Sequence, residues 1–338
     1  MTFMAPVMRL RETVDHFLSQ FRGQHILLYP NPGNAGDCLI LTGTVAALER
    51  AGVEYSVIPR QADVTGATVL VGGGGNLVPH YRDISDALER FLPRAARIVI
   101  LPHTIRGHSR LLRRLDKRVV VLCREAESLK YVRRTNPHVK STLGHDMAFH
   151  IDAERLLART DLMLRAMPIV DAMLATAGLS LDSIRAMPRV RFMRTDIESR
   201  RGCSAGHMDL SATLGGVSGV AGAEITTFIL LKIVSTARHI ETDRLHLAIA
   251  AALCGVPCDL HDNSYGKNSA VFAASLSSFA NVRLVEGSRP ANAWDRLTPD
   301  ERRLSLRRDL RPKRIVKRIG FWARRLEGMV SNSMASRH

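Results

Sequence analysis

Short apolar runs alternate with helical patterns through the first part of the chain. Five runs have the length and composition of strands, at residues 24–29, 54–58, 67–71, 97–101 and 118–122. Helical patterns lie between them, as at residues 38–51 and 84–92. Strands that are apolar throughout and separated by helices are typical of a parallel sheet with both faces covered. We therefore expect an α/β fold.

A second alternation follows a long helical stretch at residues 151–187. It contains strand patterns at 189–193, 239–242, 257–260 and 282–285 and helical patterns at 225–237 and 245–253. This organisation predicts two Rossmann-like halves, the second smaller than the first. We expect a first domain over 1–163 with glycine-rich loops, a second over 164–300, and a basic C-terminal segment over 301–338.

Composition narrows the class of protein. The chain has 338 residues, of which 46% are hydrophobic and 24% charged, as in ordinary globular proteins. No run reaches the roughly 18 apolar residues of a membrane-spanning helix, and Arg9, Arg11 and Glu12 argue against a secretory signal. The five cysteines are spread out without a metal-type pair, which argues against a disulfide scaffold and a zinc ribbon. We expect a cytoplasmic protein.

Positive charge is concentrated near the C-terminus. The net charge is +16, and eleven basic residues but one acid lie between Arg302 and Arg325. A basic protein is a candidate nucleic-acid binder. However, the globular part carries little of the excess charge, and aromatic residues make up only 5% of the chain, so platforms for stacking bases are scarce.

The basic segment also has a helical pattern. Seven apolar residues fall on one helical face: Ile315, Val316, Ile319, Trp322, Ala323, Leu326 and Val330. Five basic residues fall on the other: Lys313, Arg314, Lys317, Arg324 and Arg325. This pattern predicts an interfacial helix on the inner face of a membrane. The alternative is a terminal helix that packs its apolar side against the protein's own domains.

Two glycine-rich segments follow strands directly, where open α/β sheets bind ligands. The first runs from Asn31 to Asp37 and includes Asn34. Its glycines let backbone N–H groups face an anion, although Asp37 could instead simply cap the next helix. The second has four consecutive glycines, of which Gly73, Gly74 and Gly75 precede Asn76. So many glycines favour the close approach of a ligand, and the alternative is a tight turn under a helix.

Cationic residues also follow predicted strands or lie at the start of a predicted helix. Arg124 follows the strand at 118–122, and Arg244 and His246 lie in the first turn of a predicted helix. Free N–H groups there already favour anions. Arg194 and Lys267 follow strands of the second half, where each could equally belong to a surface loop. Together these residues predict a site for an anionic ligand.

The ordered set of motifs resembles the polysaccharide pyruvyl transferase family. The matching segments are 33–37, 73–76, 124–128, 242–246 and 265–267. The family resemblance implies a GT-B-like fold of two Rossmann-like halves with the site between them. It also implies transfer of pyruvate from phosphoenolpyruvate to the hydroxyls of a sugar, forming a ketal, in an exopolysaccharide or lipid-linked glycan. The segment Leu101-Pro102-His103-Thr104 departs from the family pattern, in which Gln-Ser follows Leu-Pro.

The resemblance also implies roles. Arg244 and His246 match the pair expected on phosphoenolpyruvate, with Arg124 as a further ligand. Ketal formation needs a base for the hydroxyls and an acid for the donor. We expect Asp37 to be the base and His246 to bind phosphate or protonate the leaving group. We expect no metal ion and no cofactor beyond the donor substrate.

Two other functions fit parts of the pattern. A GT-B glycosyltransferase that uses a nucleotide sugar would have the same fold and a similar glycine-rich first half. A nucleic-acid-binding protein would explain the basic tail but would leave the glycine-rich loops without a role. Of the three, pyruvyl transfer accounts for the most motifs, and we expect no nucleic-acid partner.

Overall fold

A computed structural model describes residues 4–196, 198, 199, 208–215 and 219–285. It contains two parallel β-sheets, with 11 strands between them in the described residues. The α/β class with parallel sheets is thereby confirmed. The GT-B arrangement stays a prediction, as do the domain bounds. The boundary expected between residues 163 and 164 falls within a helix, Thr160–Thr176.

The first sheet has seven strands: β1 (His25–Tyr29), β2 (Glu54–Val57), β3 (Thr68–Val71), β4 (Gly74–Leu77), β5 (Arg97–Ile105), β6 (Val119–Cys123) and β7 (Lys140–Leu143). Their order is β2-β1-β3-β5-β6-β7, and β4 also pairs with β5. The five strands expected from apolar runs are present. β4 was expected to be part of a glycine-rich turn, but its residues pair with β5 beyond the end of β3.

The second sheet has four strands: β8 (Val190–Phe192), β9 (Ile240–Thr242), β10 (Cys258–His261) and β11 (Val282–Val285). Their order is β11-β10-β9-β8, and every pair is parallel. Consecutive strands are therefore neighbours, each reached through a helical crossover. All four strands lie where apolar runs predicted them.

Helices cover the sheets. They are α1 (Met4–Ser19), α2 (Ala35–Ala51), α3 (Asp83–Phe91), α4 (Ser109–Leu112), α5 (Ala126–Thr135), α6 (Ala153–Leu157), α7 (Thr160–Thr176), α8 (Leu181–Ala186), α9 (Leu210–Thr213), α10 (Gly219–Thr236), α11 (Leu245–Cys254) and α12 (Lys267–Ala274). Two short 3-10 helices span Met147–His150 and Leu276–Ser278. The helical stretch predicted at 151–187 is divided into α6, α7 and α8.

The two halves meet through α10. This helix packs against α2 of the first half and against α7 and α11 of the second, and the hydroxyls of Thr42 and Thr227 are 2.9 Å apart across the first contact. Within the described residues it alone is long and apolar enough to cross a membrane, and 56% of it is buried in the protein. That packing is typical of a core helix. The amphipathic helix predicted near the C-terminus lies outside the described residues.

Candidate active site

A pocket of about 250 Å³ opens where the carboxyl ends of strands from both sheets meet. Its wall includes nine of the eleven predicted site residues: Asn34, Asp37, Gly75, Asn76, Arg124, Arg194, Arg244, His246 and Lys267. Pro32, Gly33, Tyr81, Asp83, Glu198, Ser211 and Leu245 complete the lining. The volume is close to the lower end of the range for small-molecule sites. The pocket thus has two sides. One consists of the loop after β1, strand β4 and the residue after β6, and it faces the ends of β8, β9 and β10.

The two remaining predicted residues, Gly73 and Gly74, lie behind this lining. A Cβ atom on Gly73 would be 2.7 Å from the carbonyl oxygen of Pro102. One on Gly74, where φ is +147°, would be 2.3 Å from Nδ2 of Asn31. These glycines allow β4 to pack closely against its neighbours, so their position accounts for them without a ligand.

Gly75 lies in the pocket wall itself. A Cβ atom there would be 2.7 Å from Nη2 of Arg124 and 3.6 Å from Nζ of Lys267. A side chain at this position would push against two cationic groups. The glycine therefore leaves both groups room to face the same space.

Asp37 lies in the first turn of α2 and has two roles. Its Oδ2 accepts a hydrogen bond of 2.9 Å from the backbone N–H of Asn34, whose side chain caps the helix in return. Its Oδ1 accepts one of 2.8 Å from Nδ2 of Asn31. Burial raises the pKa of Asp37 to about 6, against the lowering effect of His246 and nearby cations. The capping role expected as an alternative is real, and the same carboxylate lines the pocket.

A buried carboxylate, Asp146, joins two predicted site residues. Its Oδ2 accepts a hydrogen bond of 2.7 Å from Nη1 of Arg124 and lies 3.3 Å from Nε2 of His246. Arg124 also donates from Nε to the hydroxyl of Thr104 at 2.7 Å. The cationic partners hold the pKa of Asp146 below its usual range despite burial. Asp146 therefore fixes the positions of a guanidinium and an imidazole at the pocket wall.

His246 packs against the first turn of α2, in the other half of the protein. A Cβ atom on Gly36, in the first turn of α2, would be 2.3 Å from Nδ1 of His246. The ring therefore needs a glycine there to lie against α2, while its other nitrogen faces Asp146. This contact explains why a glycine precedes Asp37, and it couples α11 of the second half to α2 of the first.

Arg244 is held by two carboxylates. It forms a paired contact with Asp209 through Nε and Nη2, the former at 3.0 Å, and its Nη1 lies 2.8 Å from Oδ2 of Asp196. Its guanidinium is almost fully buried. The residue therefore lines the pocket as a cation locked in one orientation.

Glu198 is the centre of a second buried cluster. It accepts hydrogen bonds from Nζ of Lys267 at 2.5 Å, Nη1 of Arg194 at 2.7 Å, the hydroxyl of Tyr81 at 2.9 Å and Nδ2 of Asn263 at 3.1 Å. These donors keep the pKa of Glu198 well below its usual value. A carboxylate with four donors is a permanent anion in this site.

The charge of Lys267 depends on that anion. Burial lowers the pKa of Lys267 to about 8, although Glu198 acts in the opposite direction. The ammonium is thus the main form at neutral pH but is lost under mildly alkaline conditions.

Comparison with known proteins decides the family. The profile of the family described as "Polysaccharide pyruvyl transferase" matches residues 34–205, just over half of the chain. The chain belongs to the polysaccharide pyruvyl transferase family. Membership agrees with the motif resemblance and favours pyruvyl transfer on a polysaccharide over transfer from a nucleotide sugar.

Two relatives extend the likeness along the chain. A Bacillus subtilis (strain 168) protein named "Putative pyruvyl transferase EpsO" is 25% identical over 300 residues, covering 76% of this chain and 87% of its own. A crystal structure of a functionally uncharacterised Klebsiella pneumoniae subsp. pneumoniae NTUH-K2044 protein has a TM-score of 0.66 and 26% identity. That match covers 82% of this chain and 99% of the other.

Sequence reasoning missed four acidic or phenolic groups in the hydrogen-bond and ion-pair clusters of this pyruvyl transferase site: Tyr81, Asp146, Glu198 and Asp209. Asp146 closely follows a strand, β7, at the edge where the other site residues lie, but β7 was itself not predicted, so its place gave no signal. The other three stand in irregular segments with no periodicity. Their importance becomes visible only when the arginines and the lysine that they contact are placed in space.

Proposed function

We propose that this pyruvyl transferase takes pyruvate from phosphoenolpyruvate and joins it as a cyclic ketal to two hydroxyls of a sugar, in an exopolysaccharide or a lipid-linked glycan. One observation carries the proposal. Four guanidinium or ammonium groups and one imidazole surround a small pocket that also contains a carboxylate with a raised pKa. Such a pocket suits a small polyanion that must react with hydroxyl groups.

The cations support a donor with two acidic groups. Phosphoenolpyruvate carries a phosphate and a carboxylate, and planar guanidinium groups bind both in fixed orientations. Nε and Nη1 of Arg124 are occupied by Thr104 and Asp146, while Nη2 faces the pocket wall at Gly75. We infer that this nitrogen binds the donor.

The carboxylates behind the cations hold the guanidinium groups in fixed orientations before the donor binds. Arg194 and Arg244 share Asp196, and Asp209 holds Arg244 from the other side. Fixed charges stabilise a transition state without reorganising as it forms. The partners also offset the cost of burying the cations before the donor arrives.

The reaction balances with the groups at hand. A proton adds to the methylene carbon of the donor, and an acceptor hydroxyl forms a C–O bond at the adjacent carbon. The bond from that carbon to the phosphate oxygen then breaks, and a second hydroxyl closes the ketal as inorganic phosphate leaves. The two hydroxyls release two protons in all, of which one balances the proton taken up by carbon and the other leaves on the phosphate. We assign Asp37 to accept a hydroxyl proton and His246 to bind or protonate the phosphate. Asp146 keeps the ring of His246 in place for this step.

The site of action follows from the acceptor class. A cytoplasmic enzyme at the inner face of the membrane would meet lipid-linked glycans as they are assembled. The basic segment between Arg302 and Arg325 supports such a contact by its charge. This location stays a prediction.

A donor assay tests the proposal. Purified protein is incubated with phosphoenolpyruvate and a panel of lipid-linked or polymeric glycans, and inorganic phosphate is measured with and without each acceptor. We expect acceptor-dependent phosphate release and a product with one pyruvyl ketal by mass spectrometry. A parallel arm replaces the donor by nucleotide sugars. Glycosyl transfer in that arm, with no phosphate release from phosphoenolpyruvate in the first, would overturn the proposal.

A further inference from the structure

A chain of hydrogen bonds runs from the interior of the first half to the Asp37 carboxylate. Nε2 of His103 lies 3.0 Å from Oδ1 of Asn76. Nδ2 of Asn76 donates to Oδ1 of Asn31 at 2.5 Å, and Nδ2 of Asn31 donates to Oδ1 of Asp37 at 2.8 Å. The chain connects β5, β4, the loop after β1 and the start of α2. It joins both glycine-rich motifs.

We propose that His103 is a positioning residue that sets the direction of this hydrogen-bond chain and thereby holds Asp37 in place as an ionised base. His103 does not line the pocket, so it would act through the two asparagines. The inference rests on the proposed function, in which Asp37 takes a proton from the acceptor.

The direction of the chain follows from the chemistry of its end. An ionised carboxylate can only accept, so Asn31 must turn its amide NH₂ towards Asp37 and its oxygen towards Asn76. Asn76 then donates to that oxygen and presents its own oxygen to His103. An amide oxygen requires a donor, so the ring of His103 must carry its proton on Nε2. One tautomer of one buried ring therefore completes the arrangement.

The ring stays neutral, so its tautomer is its only variable. His103 is fully buried, and burial together with the charge of Arg124 lowers the pKa of His103 to about 3. Asp146 also faces the ring and acts in the opposite sense, as does the backbone of Gly72. A neutral imidazole donates from Nε2 only in the Nε2–H tautomer, so this tautomer is the form that supports the Asp37 anion.

The groups that face Asp37 define what else could shift its titration. They are His246 from α11, Arg124 after β6, Lys267 from α12 and the backbone of Asn34. None of these contacts His103 except Arg124, whose charge acts on both groups. Removing the His103 ring therefore changes the chain and leaves the three other groups in place.

Glutamine is the conservative replacement for His103. A glutamine side chain, like the neutral imidazole of His103, has a donor and an acceptor on one planar group. His103→Gln can rebuild the chain, whereas His103→Leu cannot. His150→Leu is the matched control, because His150 is also buried but contacts Asp15 and Arg50 away from the pocket.

Kinetics provide the first test. In His103→Leu we expect kcat/KM for acceptor-dependent phosphate release to fall about tenfold at neutral pH, as for a lost hydrogen bond to a charged group. The acid limb of the pH profile of kcat/KM should move to higher pH, because the hydrogen-bond chain no longer stabilises the Asp37 anion. His103→Gln should restore both, and His150→Leu should leave the acid limb unchanged. A fall in rate with an unmoved acid limb would reduce His103 to a structural residue and overturn the proposal.

Nuclear magnetic resonance provides a test that needs no activity. In the full-length protein, ring ¹⁵N shifts should show His103 as the Nε2–H tautomer at pH 8, and the ¹³C carboxyl shift of Asp37 should titrate at a higher pH in His103→Leu. A His103 ring protonated on Nδ1, or an Asp37 titration that is the same in both proteins, would overturn the proposal. If the wild type shows no turnover with phosphoenolpyruvate, the proposed function fails while this test still decides the role of His103.

Discussion

The two walls of the pocket are built in different ways. On the wall from the first sheet, a neutral chain of two asparagines and one histidine ends on Asp37. On the wall from the second sheet, Glu198 and two aspartates are paired directly with Arg194, Arg244 and Lys267. Asp37 on the first wall is therefore supported by amides, whereas the carboxylates of the second wall, like Asp146 beside Arg124 on the first, are supported by full charges.

This difference separates the carboxylates by pKa. Burial without a direct ion pair raises the pKa of Asp37 to about 6, whereas the cations keep that of Glu198 well below its usual value. Environments that push two carboxyl groups apart in this way separate the group that exchanges protons from the group that only carries charge. Asp37 can thus act as a base near neutral pH, and the second wall provides a constant field for an anionic donor.

Removing the reactive carboxylate should have the largest effect. Asp37→Asn keeps the size of the side chain but cannot accept a proton, so we expect kcat to fall by about 10²–10⁴. Donor affinity, measured by calorimetry, should change only a few-fold because the cations remain. Asp182→Asn, at an exposed carboxylate on α8, is the control. Wild-type turnover in Asp37→Asn would show that the base lies elsewhere.

The strands were predictable because buried parallel strands are apolar throughout. β7 was missed because its residues, Lys140–Leu143, lie at a sheet edge and are exposed or only partly buried, so they need no apolar run. β4 was missed because its glycines resemble a turn, although they serve the close approach of Pro102 and Asn31.

The cations of the site were predictable from their places after strands and at helix starts. Most of their partners were not, because the contacts join distant parts of the chain; Arg194, which pairs with Asp196 and Glu198 close behind it, is the exception. Asp146 and His246 are 100 positions apart, and Asp209 and Arg244 are 35 apart. No local pattern records such a pairing, so a motif can identify Arg244 but cannot show that two carboxylates already hold it.

Substitution of Arg244 tests the role of the second wall in donor binding. Arg244→Ala should weaken donor binding about ten- to a hundredfold, as expected for the loss of a charged hydrogen bond of about 1.5–3 kcal/mol. Arg244→Lys should also weaken it, because an ammonium cannot make the paired contact with Asp209. The KM for phosphoenolpyruvate and direct binding measure the effect.

A matched arginine separates donor binding from stability. Arg191 pairs with Glu241 on the second sheet and lies outside the pocket lining. Arg191→Ala should leave the KM for the donor unchanged, and urea unfolding of all three variants reports any loss of stability. An unchanged KM in Arg244→Ala would assign Arg244 to the structure alone.

A smaller effect should appear at the alkaline end of the pH profile of donor binding. Glu198 raises the pKa of Lys267 against the stronger effect of burial, which leaves it at about 8. In Glu198→Gln the ammonium should therefore lose its proton at lower pH, and donor binding should weaken at a correspondingly lower pH. The measurement is the KM for phosphoenolpyruvate between pH 6 and pH 9. Glu241→Gln, outside the pocket lining, should not move this limb, and an unmoved limb in Glu198→Gln would remove Lys267 from donor binding.

The smallest effect should be on stability, and it concerns Asp37 again. The folded protein holds the proton of Asp37 up to a pH of about 6, whereas an unfolded chain releases it near its ordinary value of 3.8. Folding is therefore favoured by this group at low pH, and that contribution is lost as the pH rises from about 4 to about 6. Asp37→Asn lacks the titration, so the variant should gain about 2 kcal/mol relative to the wild type over this interval. Urea unfolding at pH 4, 5, 6 and 7 measures the difference. If the stability curves of wild type and Asp37→Asn run parallel, then the first wall does not raise the pKa of Asp37, and its contrast with the second wall disappears.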